Sequence, residues 1–430
     1  MVLKESLPKS GSIVIVGGGI FGLGTALELK KRGYENVTIL DRYNIPVPDG
    51  SSVDISRVIR VEYASELYAT MAREALRGWN SEYKDHFHPS GFVMMADKTV
   101  DASYVAKSKS MSERLGDNSG EITDAKQLRT RYPNFPATTE GFNAYVNPRG
   151  GWADAQASVR QLSEECSLQG VNFITGPRGT VKSLQIQNKR VRGVYVAESE
   201  LISADQVILA TGAWSNQIVP ISHASSASGQ SVGFIQLSPE EAASLQGMPV
   251  IIDFTSGVFV FPPYPGKNLL KVAHHGYGFA TRMSVDDGKR LVSSPKLIGN
   301  NAEAGYLPED AEEQLRAGLR LLVPKFASHP WLKKRMCWYS DTPEGDFIAD
   351  HHPQLDGLFI ATGGAGHAFK FLPVLGKYIT DCFEGKASTE LRNKWRLRLP
   401  QDSEVEPKRG DGSRGGRPWR VLRKEEQAKL

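Results

Sequence analysis

SIVIVGGGIFGLGTALELKKRGYENVTILDRY, residues Ser12 to Tyr43, decides the fold. SIVIV is a continuous apolar run of the kind buried on both faces of a parallel sheet. Gly17-x-Gly19-x-x-Gly22 follows, then a helical pattern that ends on basic residues with Gly33 as its stop signal. A second apolar run, VTIL, closes on Asp41. This is a βαβ opening. The first glycine permits the tight turn, the second lets backbone approach a pyrophosphate, and the third allows close helix–strand packing. The helix N-terminus adds amide hydrogens and a positive dipole end. Asp41, about 20 residues beyond the motif, is placed to accept hydrogen bonds from a ribose diol rather than a 2′-phosphate. The stretch predicts dinucleotide binding.

The chain has 430 residues, enough for two packed domains. Hydrophobic residues make up 40% and charged residues 23%, an ordinary globular composition. No apolar run approaches the roughly 20 residues of a membrane-spanning helix, and MVLKESLPKSGS lacks a secretory apolar centre. Neither membrane nor secretion is expected. The net charge of +4 is too slight and scattered to suggest nucleic acid. The 3 cysteines, Cys166, Cys337 and Cys382, are far apart and odd in number, which argues for a reducing compartment. No Cys/His cluster has zinc spacing, so no metal is expected.

Further along, QVILATG is a second buried strand, and GLFIATGGAGHAF a third. Between them lie alternating segments such as SVGFIQLS, GVFVFPPY and NLLKVAHH. The expected architecture is α/β: a Rossmann-type dinucleotide domain with an inserted β-rich substrate domain of antiparallel sheet and helices. The dinucleotide domain is expected in three pieces, 1–85, 155–224 and 335–400, and the substrate domain in two, 86–154 and 225–334. Residues 401–430, with eight basic and six acidic residues and little to bury, read as a flexible basic tail. It finishes in Ala428-Lys429-Leu430, a variant of the Ser-Lys-Leu peroxisomal address.

There is no second GxGxxG; Gly363-Gly364-Ala365-Gly366 has Phe369 where the last glycine would fall. MCWYSDTPEGDFIADHHP, followed by that strand and GGAGHAFKF, resembles the monomeric sarcosine oxidase and fructosyl-amino-acid oxidase family, which includes fungal saccharopine and pipecolate oxidases. The resemblance runs from the N-terminal motif to about residue 400. It implies bound FAD, oxidation of an amine carbon–nitrogen bond to an imine, and oxygen reduced to hydrogen peroxide. A small-molecule amine, saccharopine-, pipecolate- or N-methyl-amino-acid-like, is therefore the expected substrate. The alternatives are a tailoring oxidase of secondary metabolism and a fructosyl-amino-acid oxidase. An import receptor reading the AKL end, a peroxisomal location (otherwise cytoplasmic) and a monomer complete the expectation.

The resemblance also assigns residues. Cys337 matches the cysteine that forms a thioether to the flavin 8α-methyl; a thiolate is the nucleophile such a link needs, and Arg335 is placed to lower its pKa. Lys271 matches a lysine that assists oxygen reduction, where a preorganised positive charge stabilises superoxide. His275 matches an active-site histidine, whereas His274, on the opposite face of the strand, is expected to be structural. Arg60 and Lys370 are expected to grip a substrate carboxylate, arginine by its planar fork. Tyr339 is expected over the substrate side of the ring. Cofactor contacts expected beside Gly17, Gly19, Gly22 and Asp41 are Ile20, Arg42, Ser56, Arg57, Val181, Gly364 and Lys370. Fructosyl-amino-acid oxidases tend to carry a small polar residue at the position of Arg60, which disfavours a sugar amine. SSVDIS also replaces the histidine-containing stretch that sarcosine oxidases carry before Arg57.

Overall fold

A computed structural model describes residues 7–97, 103–117, 121–122, 125–197, 199–297, 303–400 and 410–430. Ser12–Val16 lies inside a six-stranded sheet, flanked in parallel by Asn36–Asp41 and Gln206–Leu209. Asn172–Thr175 continues one edge in parallel; Leu358–Thr362 continues the other, followed by antiparallel Ile348–His351. The apolar runs read from the sequence are therefore its central strands, buried on both faces. Helix Ile20–Lys31 covers one face and packs on helix Leu372–Phe383. The two backbones touch where a Cβ on Gly376 would stand 2.0 Å from the Gly24 carbonyl oxygen, so only glycine fits there. Cys166 and Cys382 are buried in the same core, and burial pushes both thiols up to about 12.

The second sheet is ten-stranded and largely antiparallel. Its spine is Ser226–Gln236, which pairs with Leu269–His274 on one side and Lys333–Asp341 on the other. Side chains alternate between faces along a strand, and the register divides these strands cleanly. Leu270, Val272, Ile235, Met336 and Trp338 enter an apolar core with helix Glu309–Leu322. The opposite face carries Gln230, Val232, Lys271, Ala273, Cys337 and Tyr339, all lining one cleft. One sheet face makes core and the other makes chemistry.

Two expectations need correction. The strand Lys333–Asp341 is hydrogen-bonded throughout to Ser226–Gln236, so the boundary expected at residue 335 cuts a strand of the second sheet. The six-stranded sheet resumes only at Ile348. Residues 410–430 are not a flexible tail either. Arg420–Val421 extends the second sheet beside Phe279–Ala280, and Leu430 packs against its core. Composition misled because these charges are paired across the fold: Arg414 with Asp341, Arg417 with Glu313 and Arg420 with Asp310. Residues 401–409 lie outside the described residues. Among the described residues no helix is long and apolar enough to cross a membrane.

Candidate active site

The cleft between the two sheets encloses about 1680 Å³ of empty space, its open mouth included. Its floor is the glycine turn. Gly17 has φ +111°, and a Cβ there would stand 2.4 Å from the Ala210 carbonyl oxygen. A Cβ on Gly22 would stand 1.9 Å from the Gly17 oxygen, so Gly22 serves helix packing and does not line the cleft. A Cβ on Gly19 would come within 4 Å of Ser52 alone. Here the backbone is bare toward the cleft. Ile20, the first helical residue, donates its N–H to Ser52 Oγ at 3.1 Å. Asp41 Oδ2 accepts from Gly18 N at 2.7 Å, which pins the turn, and burial pushes its carboxyl up from the usual range. This cradle fits a dinucleotide: bare backbone, a helix N-terminus and an acid at the second strand.

Arg42 and Val181 also line the cleft. Arg42 is held by Asp49 at 2.8 Å and the Leu297 carbonyl at 3.0 Å, with its guanidinium 4.1 Å from the Trp214 ring. Gly364 lines the opposite wall, where a Cβ would meet Ala368 and Phe21 at 3.2 and 3.3 Å. Ser56 stands behind the wall; its carbonyl accepts from Lys271, and its buried hydroxyl has no hydrogen-bond partner among the described residues.

Beneath Cys337 lies a charge cluster that sequence reading missed. The Asp54 carboxylate is met by Lys271 Nζ at 2.9 Å, Arg57 Nη1 at 2.6 Å and Arg335 Nη2 at 3.0 Å. Burial opposes ionisation of Asp54, and the three cations overcome it, holding its carboxyl well below the usual range. Lys271 is 2% exposed and also donates to the Ser56 carbonyl at 2.7 Å. Burial, with Arg57 and Arg335 nearby, lowers it to about 7 against the pull of Asp54. Arg335 is spent on Asp54, so it is not the cation facing Cys337. That place belongs to Arg57, whose Nη2 lies 3.9 Å from Cys337 Sγ.

Lys370, in the short 3-10 turn before Leu372, lines the cleft and donates to Tyr63 Oη at 3.0 Å and the His367 carbonyl at 2.7 Å. Burial and Arg60 depress its pKa well below the ordinary value. Arg60 stands just outside the cleft wall, its guanidinium 4.6 Å from the Tyr63 ring and Nη2 3.0 Å from Tyr104 Oη. Its Nη1 is buried without a hydrogen-bond partner among the described residues. Glu62, the acid beside it, is pushed toward its neutral form by burial. Tyr339 lines the cleft, and its Oη is 3.3 Å from His275 Nδ1. His275 is behind Tyr339 rather than in the wall. His274 Nε2 is 3.0 Å from the Ser256 carbonyl oxygen, beside Gly416. The structure thus gathers Arg57, Lys271, Cys337, Tyr339 and Lys370 around one cleft, with Arg60 and His275 close behind.

Besides Asp54, sequence reasoning missed Tyr63, His367, Asp411 and Arg414. His367 joins Tyr63 Oη to the Gly345 carbonyl at 2.9 and 2.7 Å. The Asp in SSVDIS, two residues before Ser56 in an otherwise neutral run, was the one local signal available.

The sequence profile described as DAO, FAD dependent oxidoreductase, matches residues 12–382. L-saccharopine oxidase of Schizosaccharomyces pombe is 32% identical, covering 90% of this chain and 93% of that one. Peroxisomal sarcosine oxidase of Mus musculus is 25% identical over 85% of this chain and 90% of that one. Among solved structures, fructosamine oxidase from Aspergillus fumigatus (Amadoriase II) superposes with a TM-score of 0.85 at 29% identity, covering 96% and 95% of the two chains.

Proposed function

The chain belongs to the DAO family of FAD-dependent oxidoreductases, and on that premise we propose that it is an oxidase of a secondary amino acid. The observation that carries the reading is the pair Arg60 and Lys370. Both are buried, both flank Tyr63, and neither has a carboxylate ion pair among the described residues. A buried cation without a counter-ion is costly. A carboxylate entering beside Lys370 relieves that cost, which favours an amino acid over a simple amine. FAD, when bound, supplies the two-electron acceptor, and oxygen takes the electrons on as hydrogen peroxide. The residues do the rest. Arg60 and Lys370 fix the carboxylate and so orient the carbon–nitrogen bond, and Lys271 holds positive charge in the cleft wall for the oxygen step.

The resemblance to saccharopine oxidase supports a secondary amino acid as substrate, and Arg60 disfavours a sugar amine. Cys337, on the cleft wall beside the Arg57 guanidinium, is the residue we assign to the flavin thioether. Peroxide production suits a peroxisomal location, to which the mouse relative's name and the Ala428-Lys429-Leu430 end both point. We also propose that the enzyme acts as a monomer.

A peroxide assay over saccharopine, pipecolate and N-methyl amino acids, each paired with its decarboxylated amine, tests the reading. The acids should be oxidised and the decarboxylated partners should not. Equal turnover of both members of a pair refutes carboxylate recognition.

A further inference from the structure

Beyond the groups used so far, part of the C-terminal segment is built against the same site. The Arg414 guanidinium spans both oxygens of Asp341 at 2.8 and 2.5 Å and donates to the Gly276 carbonyl at 3.1 Å. This clamp seats Asp411 and Ser413 next to His275. Asp411 Oδ1 accepts from the Ser413 backbone N–H at 3.1 Å and from the Ser413 hydroxyl. Ser413 Oγ is 2.9 Å from His275 Nε2, and His275 Nδ1 is 3.3 Å from Tyr339 Oη. A continuous hydrogen-bonded row therefore runs from Asp411 to the cleft wall.

The row has only one polarity. An ionised carboxylate accepts and cannot donate. Asp411 is ionised, its carboxyl held below the usual range: burial raises it, and the two Ser413 donors lower it. The Ser413 hydroxyl has one proton and gives it to Asp411, so its oxygen accepts from His275 Nε2–H. The imidazole is neutral, because burial and Arg414 press it well below its ordinary pKa; Arg60 and His367 press the same way, and Asp411 opposes them. A neutral imidazole carrying its proton on Nε2 has a bare Nδ1. Tyr339 keeps its phenolic proton, since burial raises its pKa. It donates that proton to Nδ1, and its oxygen lone pairs are left for the cleft.

We propose that Asp411 is a positioning residue: through Ser413 and His275 it makes Tyr339 a hydrogen-bond acceptor for the N–H of the substrate amine. The inference rests on the amino-acid reading above and adds which group meets the nitrogen. Carboxylate recognition by Arg60 and Lys370 then has a counterpart at the amine, supplied from the other end of the chain.

Asp411→Ala tests it, because it removes the acceptor that holds the Ser413 hydroxyl proton away from His275. The row is then free to reverse: the Ser413 hydroxyl donates to Nε2, Nδ1–H donates to Tyr339, and the phenol presents its proton to the cleft. In the flavin-loaded enzyme, the half-saturation concentration for the amine substrate should rise at least tenfold. Binding of the ether isostere, with oxygen in place of N–H and the carboxylate kept, should hold or tighten. The ¹⁵N resonances of His275 should report the Nε2–H tautomer in wild type and Nδ1–H in the variant. Ser413→Ala, which breaks the row without reversing it, should weaken amine binding and leave the ether unchanged. Equal loss for amine and ether, no change for either, or an Nδ1–H tautomer in wild type overturns the inference. A wild-type enzyme that oxidises no amino acid fails at the earlier reading instead, and the tautomer measurement still stands by itself.

Discussion

Replacing Lys271 by methionine removes a buried charge from the cleft wall while keeping most of the side chain's bulk. At an effective dielectric of about 20, a unit charge about 4 Å from a developing anion contributes roughly 4 kcal/mol. Asp54, 2.9 Å from Lys271 Nζ, cancels part of that field. Its own charge is shared with Arg57 and Arg335, so the cancellation is incomplete. About 2 to 3 kcal/mol should survive, or roughly 30- to 150-fold in the rate of reoxidation by oxygen. Rapid mixing of reduced enzyme with oxygen measures that step, and anaerobic mixing with substrate measures the other half-reaction, which should change by less than about threefold. A pH series adds a second check. Burial brings Lys271 to about 7, so its charge is present below that pH and lost above it. Wild-type reoxidation should fall as pH rises through 7 and approach the rate of Lys271→Met, which should be flat. Equal losses in both half-reactions, or a flat wild-type profile, would refute the reasoning.

Cys337→Ala should give protein that releases its flavin on acid precipitation, whereas wild type should retain it; release from both removes the thioether. Arg60→Ala should raise the half-saturation concentration for carboxylated amines by about 10- to 100-fold with a smaller change in maximal rate, and an unchanged value takes Arg60 out of the site. Deleting Ala428 to Leu430 should disperse a fluorescent fusion from peroxisomes into the cytosol, and persistent puncta would refute the address. Lys296 Nζ contacts the Leu430 carbonyl and Lys429 stands 5.2 Å from the Tyr306 ring, so a receptor has to lift this end away before reading it.

What the sequence made legible is what is local in the chain. The βαβ opening places its glycines, helix and acid within 30 residues, so strand, turn and helix signals reinforce one another before any tertiary contact forms. Cys337 and Tyr339 follow the same logic: two residues apart on one strand, they share a face whatever the sheet's neighbours are. Asp54 shows where this reasoning stops. Its partners Lys271 and Arg335 lie 217 and 281 positions away, and no window of sequence contains the cluster that keeps a buried carboxylate ionised. The C-terminal segment shows the same limit from the other side. GDGSRGGRPWR reads as solvated, glycine-rich chain because composition rules take each charge to be its own neighbour to water. Arg414 instead spends its charge on Asp341, 73 positions back, and its side chain is 1% exposed. A run of charges indicates a free tail only if no opposite charge waits elsewhere in the fold. Here Asp341, Asp310 and Glu313 do wait. The residues least legible from sequence are therefore those that join the last part of the chain to the chemistry encoded in its middle.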